Sequence, residues 1–439
     1  MNGRLAELEA EIAELRRRSD ADPDHLYPGL AYALAELSGL LRDGGRPAAA
    51  LDAISEAEGL FRVLADHDDD YRQPFASALN TLANLLQDAG RAAEALEVAR
   101  EAVDVAAALP TDHADDLLLA VARMTLATQL FILGADREAT AVLCEVGRAT
   151  RRLIEGGQGD AAGTVFGMMQ AMADDARSRE GWGDHVAYRR ALALALPGDP
   201  PSGRAVLAYA LDEATIAMAE SDPAAALAWA EEAAAEFSRL AAEDPIRYAA
   251  AHTQAAERWL RLALGAEDPD TRERAARALA AAGDGERRGR ALTVLAAALE
   301  DQARFDEALA VCDQALSLWR SLPDEGRRLA SCLNLRIGLL SRLGEVEAAL
   351  DAAAEAIALW RATESVDPAT DASIFADTLR AQAALLVRIG RWDAALAVID
   401  EGVRLVLSAI IEAGVGSSAL LGEFERLRGE CLKALGREG

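Results

Sequence analysis

Apolar positions along the chain recur at the three-to-four-residue spacing of an amphipathic helix, and glycine interrupts the pattern at intervals. The clearest stretch runs from Ser77 to Leu109. Leu79, Leu82, Leu85 and Leu86 share one helical face, Ala89-Gly90-Arg91 breaks the run, and Leu96, Ala99, Ala102 and Val103 resume it. Glycine just past a periodic run accepts the left-handed backbone that ends a helix. The stretch therefore predicts two antiparallel helices of about 18 residues, roughly 27 Å each. Ala83 and Ala95 are small where the two would cross.

The rest of the chain varies this hairpin. Turn signals stand at Gly45-Arg46, Gly90-Arg91, Gly134-Ala135, Gly183-Asp184, Ser221-Asp222, near Gly265, and at Ala303-Arg304, Gly344-Glu345 and Gly390-Arg391. Successive gaps of about 38 to about 49 residues fall near the two-helix repeat lengths. Self-similarity at this period predicts an all-α solenoid in which each unit buries its apolar face on its neighbours.

Several positions carry a family resemblance. Leu82-Ala83, Leu86, Gly90, Glu94-Ala95-Leu96 and Ala102 resemble the tetratricopeptide-repeat pattern. So do Ala296, Leu299, Phe305, Glu307-Ala308-Leu309 and Ala315; Leu340, Gly344, Ala349-Leu350 and Ala356; and Ala383, Leu386, Gly390, Trp392 and Ala395-Leu396. The resemblance spans residues 30–410, strongest at both ends. It implies a right-handed superhelical solenoid of about nine antiparallel hairpins, with first helices lining a concave side that binds other polypeptides. The period is about ten residues longer than the usual 34, which is similar to kinesin-light-chain-like arrays and to bacterial signalling sensor arrays. The proline that closes a repeat occurs only irregularly, as Pro110, Pro197 and Pro323.

Composition breaks divide the chain further. Residues 1–26 read as an N-terminal capping helix with Leu5, Leu8, Ile12 and Leu15 on one face, a dimerisation helix being the alternative, followed by a loop at Asp20–His25. Residues 27–197 form a first sub-array, 198–285 degenerate repeats, 286–412 a second sub-array and 413–439 a closing helix. Glu155–Asp160 with Gly163, Leu196–Ser202, Asp268-Pro269-Asp270 and Gly283-Asp284-Gly285 mark where the array would change pitch or flex.

Charge narrows the partner. The formal net charge of −28 opposes nucleic-acid backbones and anionic membrane surfaces, both of which need a basic face. It favours a basic or amphipathic protein or peptide partner, with a homodimer also open. Lys433 is the only lysine, and the arginine-rich balance reads as a G+C-rich genome more than as chemistry. Cys144, Cys312, Cys332 and Cys431 are scattered without a CxxC pair, so core thiols in a reducing, cytoplasmic compartment are expected. No signal-peptide core or membrane-spanning run is seen.

Catalytic chemistry finds little support. No two of His25, His67, His113, His185 and His252 stand at metal-binding helical spacing. His25, His67 and His113 do sit in aspartate-rich loops, where a divalent ion or simple helix capping would each account for the carboxylates. Gly156-Gly157-Gln158-Gly159 lacks a phosphate-loop ending, and Gly414–Ser418 is no nucleophile elbow. The expectation is no cofactor, no metal and no catalytic set.

The residues expected to bind follow from the resemblance. Carried over position by position, the resemblance implies that Ser77, Asn80, Asn84 and Gln87 lie on the concave side, then Met124, Thr128 and Phe131, then Arg177, Asn334, Arg380 and Arg388. Asparagine amides both donate to and accept from an extended peptide backbone. The function expected is a non-enzymatic scaffold binding a peptide segment or partner protein. A sensor that changes curvature to switch a separate effector is the alternative, and a cryptic enzyme or metal protein the remote one. Trp319, Trp360 and Trp392 are expected in the packing between repeats.

Overall fold

A computed structural model describes residues 2–19, 23–109, 113–196, 200–266, 268–362, 371–413 and 418–437, which form twenty α-helices, a 3-10 turn at Asp69–Tyr71 and, among the described residues, no strand. They fall into two units, Met1–Ser221 and Asp222–Gly439. The first holds α1 (Asn2–Ser19), α2 (Pro23–Asp43), α3 (Pro47–His67), α4 (Arg72–Asp88), α5 (Ala92–Ala107), α6 (His113–Ile132), α7 (Asp136–Glu155), α8 (Gly159–Ser178), α9 (Trp182–Ala195) and α10 (Pro200–Met218). The second holds α11 (Pro223–Glu243), α12 (Pro245–Leu264), α13 (Pro269–Ala282), α14 (Gly285–Asp301), α15 (Phe305–Ser321), α16 (Gly326–Leu343), α17 (Val346–Ala362), α18 (Asp371–Arg388), α19 (Trp392–Ala413) and α20 (Ser418–Ala434).

One backbone device makes most of the reversals. Gly90 takes φ +74°, its N–H donates to the Gln87 carbonyl at 2.8 Å, and the Arg91 N–H reaches back to Leu86 at 2.9 Å. These bonds satisfy carbonyls that a helix end leaves open. The same pair of bonds recurs at Gly45, Gly134, Gly157, Gly344 and Gly390. Ala303 and Glu180 do the same at φ 58° and 60° without being glycine. Glu180 corrects the fourth turn: the reversal lies at Glu180-Gly181, and Gly183-Asp184 already belong to the first turn of α9. Asp20–His25 is corrected too, since α2 begins at Pro23, where a proline loses no helical donor.

Through the degenerate middle, helix starts do the work of helix stops. Asp222, Asp244 and Asp268 each precede a proline and accept backbone N–H groups from Ala225 (3.0 Å), Arg247 (3.1 Å) and Thr271 (3.1 Å). Aspartate caps followed by proline at the first helical position define α11, α12 and α13 firmly.

Within the first unit, α2–α3, α4–α5 and α6–α7 pair as hairpins and stack on one another, whereas α7 lies mainly against α9. α1 covers α2 and buries Leu8 and Ile12. In the second unit α11 pairs with α12, then α14–α15, α16–α17 and α18–α19 form hairpins, and α20 closes over α18 and α19 through Phe424 and Leu427. Alanine makes the close approaches: Ala83, Ala95, Ala99 and Ala102 are all fully buried. Trp319 and Trp360 are buried and Trp392 packs on the core of the second unit, with Trp360 stacked on Phe375.

Arginine has a structural use that composition did not reveal. Arg16–Glu56, Arg62–Glu101 and Arg100–Glu138 in the first unit, and Arg320–Glu355 and Arg361–Glu401 in the second, each join a helix to the second helix of the next hairpin. The planar fork suits the two carboxylate oxygens, which an ammonium group does not match. Arg62 also bonds Glu58 and lies 5.0 Å over the Phe75 ring. Arg62→Ala is expected to cost about 1 kcal/mol, because such half-exposed pairs are screened. Chemical denaturation at low and high salt checks this: the loss should shrink as salt rises.

Candidate functional site

The first-unit helices α4, α6 and α8 leave two cavities that share Gln87, Thr128 and Met172. One, of about 350 Å³, is lined by Asn80, Asn84, Gln87, Val121, Met124, Thr125, Thr128, Met168, Ala171 and Met172. The other, of about 440 Å³, adds Phe131, Ile132, Asp175, Arg179, Asp184 and Tyr188. Helical spacing explains the lining: Asn80, Asn84 and Gln87 follow one stripe of α4, and Met168, Met172, Asp175 and Arg179 one stripe of α8.

The floor is apolar and soft. Met124 is 4% exposed, while Met168 and Met172 line the cavity from α8 and are more accessible. Phe131 and Tyr188 stand ring to ring at 6.1 Å. Tyr188 is 2% exposed and its hydroxyl lies 3.1 Å from Thr128 Oγ1. Burial pushes the Tyr188 phenol above its ordinary range, so it is a neutral hydrogen-bonding group at physiological pH.

The rim is polar. Gln129 Nε2 donates to Gln87 Oε1 at 2.5 Å, which fixes Gln87. Asn80 Oδ1 is buried without a hydrogen-bond partner among the described residues. Arg179 donates to Asp175 at 2.9 Å. Asp184 forms no ion pair among the described residues; burial, with repulsion from Asp136, raises its carboxyl above the usual carboxylate range against the pull of Arg179. A cation brought to Asp184 would relieve both effects.

Of the residues expected from sequence, Asn80, Asn84, Gln87, Met124, Thr128 and Phe131 line these cavities. Ser77 is exposed on the same α4 face, one turn earlier. Arg177 lies off the α8 stripe and pairs with Glu213 of α10. The remaining three belong to the second unit. Asn334 donates to Asp377 at 3.4 Å and Arg380 bonds Asp377 at 2.8 Å, while Arg388 reaches Ser341 Oγ at 3.3 Å. Asn334 and Arg388 thus join α16 to α18, while Arg380 pairs within α18.

Sequence reasoning missed Tyr188 because it comes from a second helix, and Met168 and Met172 because α8 turns a different face inward. The run Gly167-Met168-Met169-Gln170-Ala171-Met172 was a usable signal for that face. Among the described residues no group of three metal-binding side chains occurs, and the side chains of His25 and His113 lie outside them. His67 turns back to donate to the Val63 carbonyl at 2.8 Å, and Asp68 caps the 3-10 turn. No helix of the described residues is long and apolar enough to cross a membrane.

Behind the groove, His185 is 1% exposed and donates Nδ1–H to the Ala173 carbonyl at 2.8 Å, tying α9 to α8. Burial lowers its pKa, outweighing that bond. A histidine depressed in the folded state takes up its proton more readily when unfolded. Its contribution to stability is therefore complete above the ordinary value and is lost as pH falls below it. Melting from about pH 7.5 to about pH 5.5 should fall less steeply for His185→Gln than for the parent.

A sequence model of the tetratricopeptide repeat matches residues 75–115 and 289–322, which cover most of the α4–α5 and α14–α15 hairpins. In those two segments the chain carries tetratricopeptide repeats. No curated protein matches it by sequence. Among solved structures, the chain is similar to NprR in complex with its cognate peptide NprX, at 15% identity over 66% of this chain and 72% of that one, with a TM-score of 0.30. It is similar to the APC/C hetero-tetramer Cut9-Hcn1 at 14% identity over 97% and 92%, TM-score 0.30. It is also similar to the TPR2AB domain of yeast Sti1 with pHSP90 at 13% identity over 82% and 98%, TM-score 0.26. Superpositions this loose leave the assignment resting on the tetratricopeptide-repeat match and on this chain's own helices.

Proposed function

We propose that the protein is a non-enzymatic, cytoplasmic adaptor whose first unit holds a basic amphipathic peptide segment in the α4–α6–α8 groove. The observation that carries this reading is the meeting of a methionine-rich floor with the amides of Asn80 and Asn84 and the carboxylate of Asp184 across two adjoining cavities. Flexible thioethers fit apolar side chains of varied shape. Asn80 and Asn84 face a peptide backbone, and Asp184 faces a lysine or arginine of the segment. The strongly acidic chain draws such a partner in.

A fluorescein-labelled leucine–lysine amphipathic peptide tests the reading by anisotropy, with a leucine–glutamate peptide as its counterpart. Saturable binding of the first alone is expected. The double variant Asn80→Ala with Asn84→Ala should weaken it about tenfold, the loss of one or two good hydrogen bonds. Its melting temperature should hardly move, because Asn80 Oδ1 has no partner to lose. An unaltered affinity sinks the site, and equal binding of the glutamate peptide sinks the partner class.

A further inference from the structure

The four cysteines show no pairing in the sequence, yet the fold brings two of them together. Cys312 on α15 and Cys332 on α16, 20 residues apart, place their sulfurs 3.8 Å from one another. Both are fully buried, and each lies near the other's backbone carbonyl, Cys312 Sγ at 3.6 Å from Cys332 O and Cys332 Sγ at 3.9 Å from Cys312 O. α15 closes one hairpin and α16 opens the next, so a bond here would staple two repeats across their interface. Cys144 is half-buried and Cys431, on α20, is buried in the core of the second unit, and neither has a thiol partner among the described residues.

We propose that Cys312 and Cys332 form a redox modification site that hydrogen peroxide converts to an intramolecular disulfide. A fully buried pair admits a small oxidant during local opening and excludes bulky ones. The Cys332 thiolate attacks one peroxide oxygen; the S–O bond forms, the O–O bond breaks and hydroxide leaves, taking a proton to become water. The Cys312 sulfur then attacks the Cys332 sulfenic acid; the S–S bond forms, the S–O bond breaks, and a second water carries off the Cys312 proton. Two thiols are oxidised and one peroxide is reduced. The hydrogen bond from Cys312 holds the Cys332 thiol below its ordinary range and pushes the Cys312 thiol up, which supports Cys332 as the attacking group.

The test treats the folded, full chain with hydrogen peroxide, then denatures it, alkylates the remaining thiols and digests it with trypsin. The expected product is peptide 305–320 joined to peptide 329–336 by a disulfide, absent after dithiothreitol. Oxidised glutathione at matched concentration should give the same product far more slowly. Recovery of both peptides alkylated, under conditions that oxidise Cys144, overturns the proposal, as does a cross-link between separate chains. Equal rates with glutathione disulfide overturn the small-oxidant assignment. Cys332→Ala should abolish the linked product and leave Cys312 alkylatable.

Discussion

Gly147→Ala should destabilise the first unit by about 1–3 kcal/mol, read as a lowered midpoint in urea or on heating. Gly147 lies in α7, where that helix crosses α9. A Cβ built there would overlap the carbonyl oxygen of Ala191 and stand 3.0 Å from its carbon and 3.1 Å from its Cα. The obstacle is backbone in the middle of a helix, so no side-chain rotation relieves it and the two helices must move apart. That separation would disturb Leu143, Val146, Tyr188 and Leu192, which pack in the same core and include a wall of the groove. Gly163→Ala is the internal contrast. Gly163 lies in exposed α8 surface with nothing within 4 Å of an added Cβ, so alanine should stabilise by about 0.5–1 kcal/mol through helix propensity alone. If both variants melt alike, α7 and α9 do not cross closely at Gly147.

The same contrast explains what the sequence made legible. Gly90, Gly134, Gly344 and Gly390 announce their turns because a positive φ is inexpensive only for glycine. Glu180 adopts the same conformation against its own preference, imposed by the carbonyls it must satisfy, and a search for glycine steps past it to Gly183. The α4 and α6 side of the groove was readable from Asn80 to Phe131 because those helices keep their place relative to the turn. α8 does not: with α7 resting on α9, it presents Met168, Met172 and Asp175 and turns Arg177 toward Glu213. The face that α8 turns inward depends on how it packs on α9, and no local spacing encodes it. The approach of Cys312 to Cys332 likewise depends on where α15 meets α16.

Met172 is where fold and proposed function separate most cleanly, because it lines both cavities yet is only half-buried. Met172→Arg would carry a guanidinium into the groove while its flexible stem still covers the core edge, so the helix should remain in place. The new charge would take up Asp184, the carboxylate proposed to receive the cationic side chain of the peptide. It would also replace the thioether floor with a hydrated group that repels a lysine-rich segment. Loss of an apolar contact and gain of a like charge together should weaken the leucine–lysine peptide by about 30- to 100-fold, roughly 2–3 kcal/mol. Met172→Leu conserves volume and apolarity, so its affinity should stay within about threefold of the parent. Titrations at low and high salt divide the loss. The repulsive part shrinks as ionic strength rises, and the part due to the missing floor does not. An arginine variant that binds as tightly as the parent at both salts would mean the peptide docks elsewhere. A leucine variant as impaired as the arginine one would mean that Met172 holds α8 in position instead of touching the ligand.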